Sequence, residues 1–310
     1  MTSPLLALPG AVAGAGIDAP VAAHYGSLYG EQRTLEGGDG FVDLSHHDVI
    51  RVSGPDRLQW LHDLTTQYFL DLPQKTWTEG LILSPQGHVE HYFAGVDDGT
   101  SFTAATEPDA AGALVEFLDR MRFMSRVEVS EVTDELALTW RASAGHELVP
   151  REQLTTYAEA AGPACGLWAY EALRIARGEP RFGLDTDART IPNEVGWIGS
   201  AVHMDKGCYR GQETVARVHN LGRPPRRLTL LHLDGSENRL PEVGAELMSG
   251  EKAVGFVGTS ARHHELGPIA LALVKRNVPL DTQLTVDGIP AAQEVVVDPE
   301  VGLHVRRELR

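Results

Sequence analysis

The first clear alternation of apolar and polar positions runs from Phe41 to Thr66, "FVDLSHHDVIRVSGPDRLQWLHDLTT". A short extended run, "VIRV", meets a turn at Ser53 and Gly54, after which Leu58, Leu61 and Leu64 recur at helical spacing. Pro55 suits a first helical turn and Asp56 complements its positive end, so a strand and then a helix with one leucine face are predicted. From Thr78 to Val96 two extended runs flank Ser84-Pro85-Gln86-Gly87, which predicts a β-hairpin. Leu114, Phe117, Leu118 and Met121 share one side of a predicted helix over Pro108 to Met124. A further helix, Ala169 to Arg177, is stopped by Gly178 with Pro180 beyond.

After Arg227 the pattern shortens to "LTLLHL", "AELM", "AVGFVGTS", "IALALV" and "QLTVDG", separated by glycine, proline and acidic turns. Such spacing predicts a small β-barrel or sandwich, with a boundary at "GRPPRR", Gly222 to Arg227. The irregular mixing of strands and helices upstream predicts α+β rather than a doubly wound sheet. At 310 residues the chain exceeds what one core usually fills, so two or three lobes are expected.

Composition adds constraints. Hydrophobic residues at 42% and charged residues at 23% fit an ordinary folded protein, and no apolar run approaches the ~18 residues of a membrane span. The start, "LLALPGAVAGAGIDAPVAA", has no Lys or Arg before Arg33 and is broken by Pro9 and Gly10, so it reads as a loop and not an export signal. A net charge of −16 repels nucleic acid and anionic membrane, so stable binding to either is not expected. One local exception is the arginine group Arg210, Arg217, Arg223, Arg226 and Arg227, broken only by Glu213, which suits either a solvated loop or an anionic ligand.

Cysteine usage raises the sharpest question. Cys165 and Cys208 match neither a disulfide framework nor a Cys-x-x-Cys metal pair, which points to a reducing cytoplasm. Cys208 sits between Lys206 and Arg210, cations that lower a thiol pKa and favour the reactive thiolate. In a strand both would share a face with the sulfur; in a turn, Gly207 and Gly211 would let other backbone approach it. The alternative is a buried cysteine that fills core space. Two cysteines cannot ligate an ordinary iron–sulfur cluster, so no stable cluster is expected. The pairs His46-His47 and His263-His264 are expected to diverge as surface residues, and His88, Glu90 and His91 do not share one strand face, so no metal site is assigned.

At "KGCYRGQETVAR", the segment Lys206, Gly207, Cys208, Tyr209, Arg210, Gly211, Gln212 and Glu213 resembles the signature of the YgfZ-type folate-binding proteins, relatives of the aminomethyltransferase (T-protein) of the glycine cleavage system. Supporting stretches are "VSGPDRLQWLHDLTTQ", "ALRIARGEPRFGLD", "IPNEVGW", "GRPPRRL" and "VGFVGTSARHHELGPIALALV". The resemblance implies an α+β, T-protein-like arrangement of three lobes around a central folate-binding opening, with a C-terminal β-barrel. The corresponding divisions are an N-terminal loop region at 1–40, a first folate-binding lobe at 41–145, a second lobe carrying the signature at 146–221, and the barrel at 222–310.

The same resemblance implies tetrahydrofolate or a related folate as cofactor, and support of iron–sulfur cluster assembly or repair through Cys208, with tRNA-modifying cluster enzymes among the beneficiaries. The implied partners are iron–sulfur enzymes or their assembly machinery. Where T-proteins carry a hairpin aspartate pair this chain has His91 and Tyr92, and where they hold the pterin with a glutamate it has Ala176. Aminomethyl transfer, the alternative function, is therefore not expected to carry over. Glu194, Arg217 and Arg223 are the expected folate contacts, with Glu90 a substitute acid if the hairpin register shifts.

Overall fold

A computed structural model describes residues 1–300 of the chain. Its strands are β1 Val12–Ala13, β2 Ala22–His24, β3 Phe41–Asp43, β4 Asp48–Ser53, β5 Thr78–Leu83, β6 Val89–Asp97, β7 Ser101–Thr106, β8 Glu128–Glu131, β9 Leu136–Arg141, β10 Gly145–Pro150, β11 Ala164–Cys165, β12 Arg226–Leu233, β13 Glu246–Ser249, β14 Lys252–His263, β15 Gly267–Lys275, β16 Leu284–Val286 and β17 Ile289–Val295. The α-helices are α1 Leu28–Glu36, α2 Arg57–Leu64, α3 Ala111–Arg120, α4 Leu154–Ala160, α5 Leu167–Ala176 and α6 Gln212–Leu221. The chain divides into two compact units: 1–62, 69–79 and 92–173 form the first, and 63–68, 80–91 and 174–300 the described part of the second.

In the first unit, β10-β9-β3-β11 form a four-stranded sheet. A five-stranded sheet runs β5-β6-β7-β4-β8, and the ends of β5 and β6 with their connecting turn belong to the second unit. Strand β4 pairs antiparallel with β7 from Asp48↔Thr106 to Ser53↔Ser101. Every residue of β7 is buried, which suits its central place between two neighbours. A core of Val21, Leu35, Val42, Leu44, Leu138 and Cys165 lies beneath the smaller sheet.

In the second unit the expected barrel is present and closed: β12-β15-β14-β13-β16-β17, with β12 also pairing to β17. Closure removes exposed sheet edges. Its sixth strand, β17, was not among the expected segments because "IPAAQEV" mixes a proline and small and polar residues with only two large apolar ones. Leu231, Leu247, Val257, Val274 and Ile289 pack its core. The expected span of this region includes 301–310, which lie outside the described residues.

Three expectations change. Residues 1–40, expected to be loop, contain a paired β1 and β2 and helix α1. Glu31 ties this region together: buried, it accepts from the nearby backbone N–H groups of Tyr25 and Ser27 and from that of the distant Gly166, which local periodicity does not show. Helix α3 stops at Arg120, short of Met124; Phe123 turns at φ +45° and, like Met124, is exposed. The paired histidines do not diverge. His46 and His47 meet edge to face at 4.6 Å, and His263 and His264 stack at 4.8 Å. His46 and His263 are buried, because turns at the ends of strands, unlike strands themselves, can place neighbouring side chains together.

Candidate functional site

The signature segment of the second unit is neither strand nor helix between Met204 and Gly211. It is held at both ends. At its start the buried Lys206 ammonium donates to the backbone carbonyl of Thr65 at 2.5 Å and to that of Gln67 at 3.3 Å, and lies 5.3 Å from the Tyr209 ring centroid. Burial pulls the Lys206 pKa down to about 8, against the opposing charge of Asp63. At its end Gly211 takes φ +81° as the residue before α6, and Gln212 N–H donates to Tyr209 O at 3.2 Å. A side chain at Gly211 would meet Ser84 O at 2.5 Å and Gly87 Cα at 2.9 Å; one at Gly87 (φ +85°) would meet Thr214 Cβ at 2.8 Å. These two glycines are therefore required by conformation and by space. Gly207 is required by neither, since nothing lies within 4 Å of an added Cβ and its φ is ordinary.

Between these anchors Cys208 is exposed, as is Glu213, while Tyr209 is buried. Of the two settings open for Cys208, strand or turn, the structure has the irregular one flanked by turns. Lys206 is turned inward onto carbonyls, and Arg210 pairs with Glu90 of the hairpin at 3.2 Å. His91 is half-buried; burial lowers its pKa and the Arg210 charge adds to this, against Glu90.

The arginine group disperses in the same way. Arg226 donates to Asp187 at 2.6 Å and to both oxygens of the fully buried Glu194 at 2.8 Å. Burial raises the Asp187 pKa, but Arg226 overrides it and holds the carboxyl down at about 2. Arg227, 1% exposed, donates to the carbonyls of Lys275 and Val278 and to Gln293. Arg223 is exposed and pairs with Glu300 at 2.9 Å, and Arg217 is exposed on α6. These residues do not form one basic patch. Glu194, expected as a folate contact, has its carboxylate occupied by Arg226 and by Ile191 N–H. Beside this ion pair lies a cleft of about 500 Å³ lined by Val89, Glu90, Phe182, Gly183, Thr186 and Asp187.

The first unit holds a separate cluster that sequence reasoning missed. Trp77 and His146 stack at 4.9 Å, His146 Nε2 lies 3.1 Å from Tyr170 Oη, and Trp140 meets Tyr170 edge to face at 5.5 Å. Tyr92 is hydrogen-bonded to Glu79, and burial together with Glu79 raises its phenol pKa well above the usual value. All six residues are partly buried. The available sign was hairpin register: Glu79 and Tyr92 lie at nearly equal distances from the Ser84–Gly87 turn. Planar aromatic faces with one carboxylate acceptor suit a flat heterocycle bearing N–H donors.

The fold is that of the aminomethyltransferases: the glycine cleavage system aminomethyltransferase T of Bartonella henselae superposes with a TM-score of 0.79, covering 96% of both chains at 18% identity. By sequence the chain is 24% identical over 325 residues to an aminomethyltransferase of Corynebacterium jeikeium, covering 82% of this chain and 83% of that protein. It is also 24% identical over 298 residues to the mitochondrial iron–sulfur cluster assembly factor IBA57 homolog of Pyricularia oryzae, covering 82% and 75%. Over most of its length the chain is thus similar both to an aminomethyltransferase and to an iron–sulfur cluster assembly factor. For a chloroplastic transferase-like protein of Arabidopsis thaliana, 23% identical over 263 residues, the matched share is 69% of this chain and 60% of that protein's length. No family model matches the chain. Among the described residues no helix is long and apolar enough to cross a membrane.

Proposed function

We propose that the protein is a cytoplasmic, folate-binding accessory factor that supports iron–sulfur cluster assembly or repair, and through it cluster enzymes such as tRNA-modifying ones, with Cys208 as its functional thiol. One observation carries this reading: where the family resemblance puts a transferase aspartate the chain has Tyr92, a phenol held protonated against Glu79. The position offers no carboxylate of its own, while Cys208 stands exposed on an anchored segment.

Trp77, His146 and Tyr170 fit the faces of a pterin, and Glu79 fits its N–H edge, where a donor left unpaired would cost about 1–3 kcal/mol. Glu79 takes over the acceptor role expected of Glu194, whose carboxylate stays with Arg226. Arg217 and Arg223, expected as folate contacts, are exposed on the second unit and suit carboxylates by bidentate hydrogen bonding. Lys206, Gly207, Tyr209, Gly211, Gln212 and Glu213 present the thiol. When bound, a reduced folate supplies one-carbon or reducing chemistry; the protein's own residues bind and orient it.

The relatives named aminomethyltransferase and the carboxylate of Glu79 favour a second reading, a folate-dependent aminomethyltransferase. The two separate in one experiment. Cells lacking the protein receive wild type, Cys208→Ala or Glu79→Gln, and a cluster-dependent enzyme is assayed alongside conversion of tetrahydrofolate to methylene-tetrahydrofolate by the purified proteins. Support lost with Cys208→Ala, and no methylene-tetrahydrofolate from wild type, is expected. Turnover by wild type that survives Cys208→Ala would favour the transferase.

A further inference from the structure

We propose that the hairpin tip Ser84–Glu90 and the signature segment Lys206–Gly211 act as one clamp, in which Glu90 and the Gly87–Gly211 contact are positioning elements for Cys208. The proposal rests on the reading of Cys208 as the functional thiol and deepens it.

Three independent contacts carry it. First, the backbone of the segment is pressed on the hairpin turn: a Cβ at Gly211 would come within 2.5 Å of Ser84 O, and one at Gly87 within 2.8 Å of Thr214. At Gly211 the contact is backbone against backbone, which cannot yield as a flexible side chain would, and at Gly87 it is against the branched Cβ of Thr214 on α6. Second, Glu90 and Arg210 pair at 3.2 Å with each side chain little more than a third exposed. Third, Lys206 ties the other end to the carbonyls of residues 65 and 67. Cys208 thus lies between two fixed points, exposed on a short span with little freedom of its own.

The pairing also engages the cation next to Cys208 in the chain: Arg210, two residues on, is held by Glu90. The other ionisable groups on or beside the clamp are Asp205, Lys206, Tyr209 and Glu213 on the segment side and His88 and His91 on the hairpin. Lys206 is engaged with carbonyls, and the Arg210 charge lowers the pKa of His91, so the guanidinium field does reach its neighbours. Removing the Glu90 charge while leaving its shape should therefore release Arg210 to act on the thiol.

The test is iodoacetamide alkylation of Cys208 in the intact chain as a function of pH, followed by peptide mass spectrometry. Glu90→Gln is expected to speed alkylation at pH 7 at least about threefold and to lower the profile's midpoint by about half a pH unit. Glu90→Asp should return the profile most of the way to wild type. Gly211→Ala should shift the profile too, and should accelerate amide exchange in both 84–88 and 207–213 while leaving β12 to β17 unchanged. Profiles of folded Glu90→Gln and Gly211→Ala that superpose on wild type overturn the clamp; if Gly211→Ala does not fold, Glu90→Gln decides alone. Unchanged profiles together with a Cys208→Ala that fails in cells remove the clamp and leave the thiol role standing. Shifted profiles with a fully active Cys208→Ala support the clamp and remove the thiol role.

Discussion

The two cysteines stand in opposite surroundings. Cys165 ends the two-residue strand β11, 2% exposed, paired in parallel with Val42 and packed in the core with Val21, Leu35 and Leu167. Burial, with Glu31 and Asp39 nearby, pushes its thiol up to about 12. Cys208 is exposed on a segment with no regular structure, held by a lysine, an ion pair and two close-packed glycines. One sulfur is a small hydrophobe; the other is on offer to a reagent or partner. What separates them is the element that carries each, since composition near each gives little warning.

The widest separation should appear in function. Cys208→Ala is expected to abolish support of a cluster-dependent enzyme in cells lacking the protein, and Cys165→Ala to retain most of it. The comparison breaks if the two variants complement equally well. Reactivity follows. With a pKa of about 12, only roughly one Cys165 in ten thousand is ionised at pH 8. In the folded protein Cys208 should therefore alkylate at least about a hundredfold faster, and the ratio should collapse towards one in urea. Equal rates without denaturant would show that Cys165 is reached by local opening.

Much of the barrel was legible because its strands are apolar runs cut by turns, a signal confined to a few neighbouring residues. The hairpin was legible for the same reason: Pro85 and Gly87 mark its turn locally. The environment of Cys208 was legible only in part. The signature identified the segment, yet the direction of Lys206 depends on carbonyls at residues 65 and 67, and that of Arg210 on Glu90, far away in sequence. The Glu79–Tyr92 pair and the Trp77–His146 stack likewise arise from strand register and loop return, which no single window of the chain contains.

Stability should discriminate the two sites in the reverse order to function. Cys165→Ser buries a hydroxyl whose nearest acceptor is Pro163 O, 3.8 Å from the present sulfur, and is expected to cost about 1–3 kcal/mol in urea unfolding. Cys208→Ser, on an exposed position, should stay within about 0.5 kcal/mol of wild type. A Cys208→Ser protein as destabilised as Cys165→Ser would mean that the exposed segment is packed in solution.

The anchor at the start of the Cys208 segment should respond to pH. Lys206 has a folded pKa of about 8 against 10.5 when unperturbed, with burial as the leading cause. Below pH 8 both states carry the proton, and the cost of burying the charge is paid in full. Between pH 8 and 10.5 the unfolded chain holds a proton that the folded chain has released, so stability attributable to this group rises with pH. Above that window both states are neutral and the cost is gone. The unfolding free energy of wild type relative to Lys206→Met should thus increase by on the order of 1–3 kcal/mol across the window. Tyrosines that titrate there are common to both proteins and largely cancel in the difference. A flat difference would mean that the Thr65 and Gln67 carbonyls fully compensate the buried ammonium, and the segment bearing Cys208 would then be tied at that end by a charged hydrogen bond at every pH below 10.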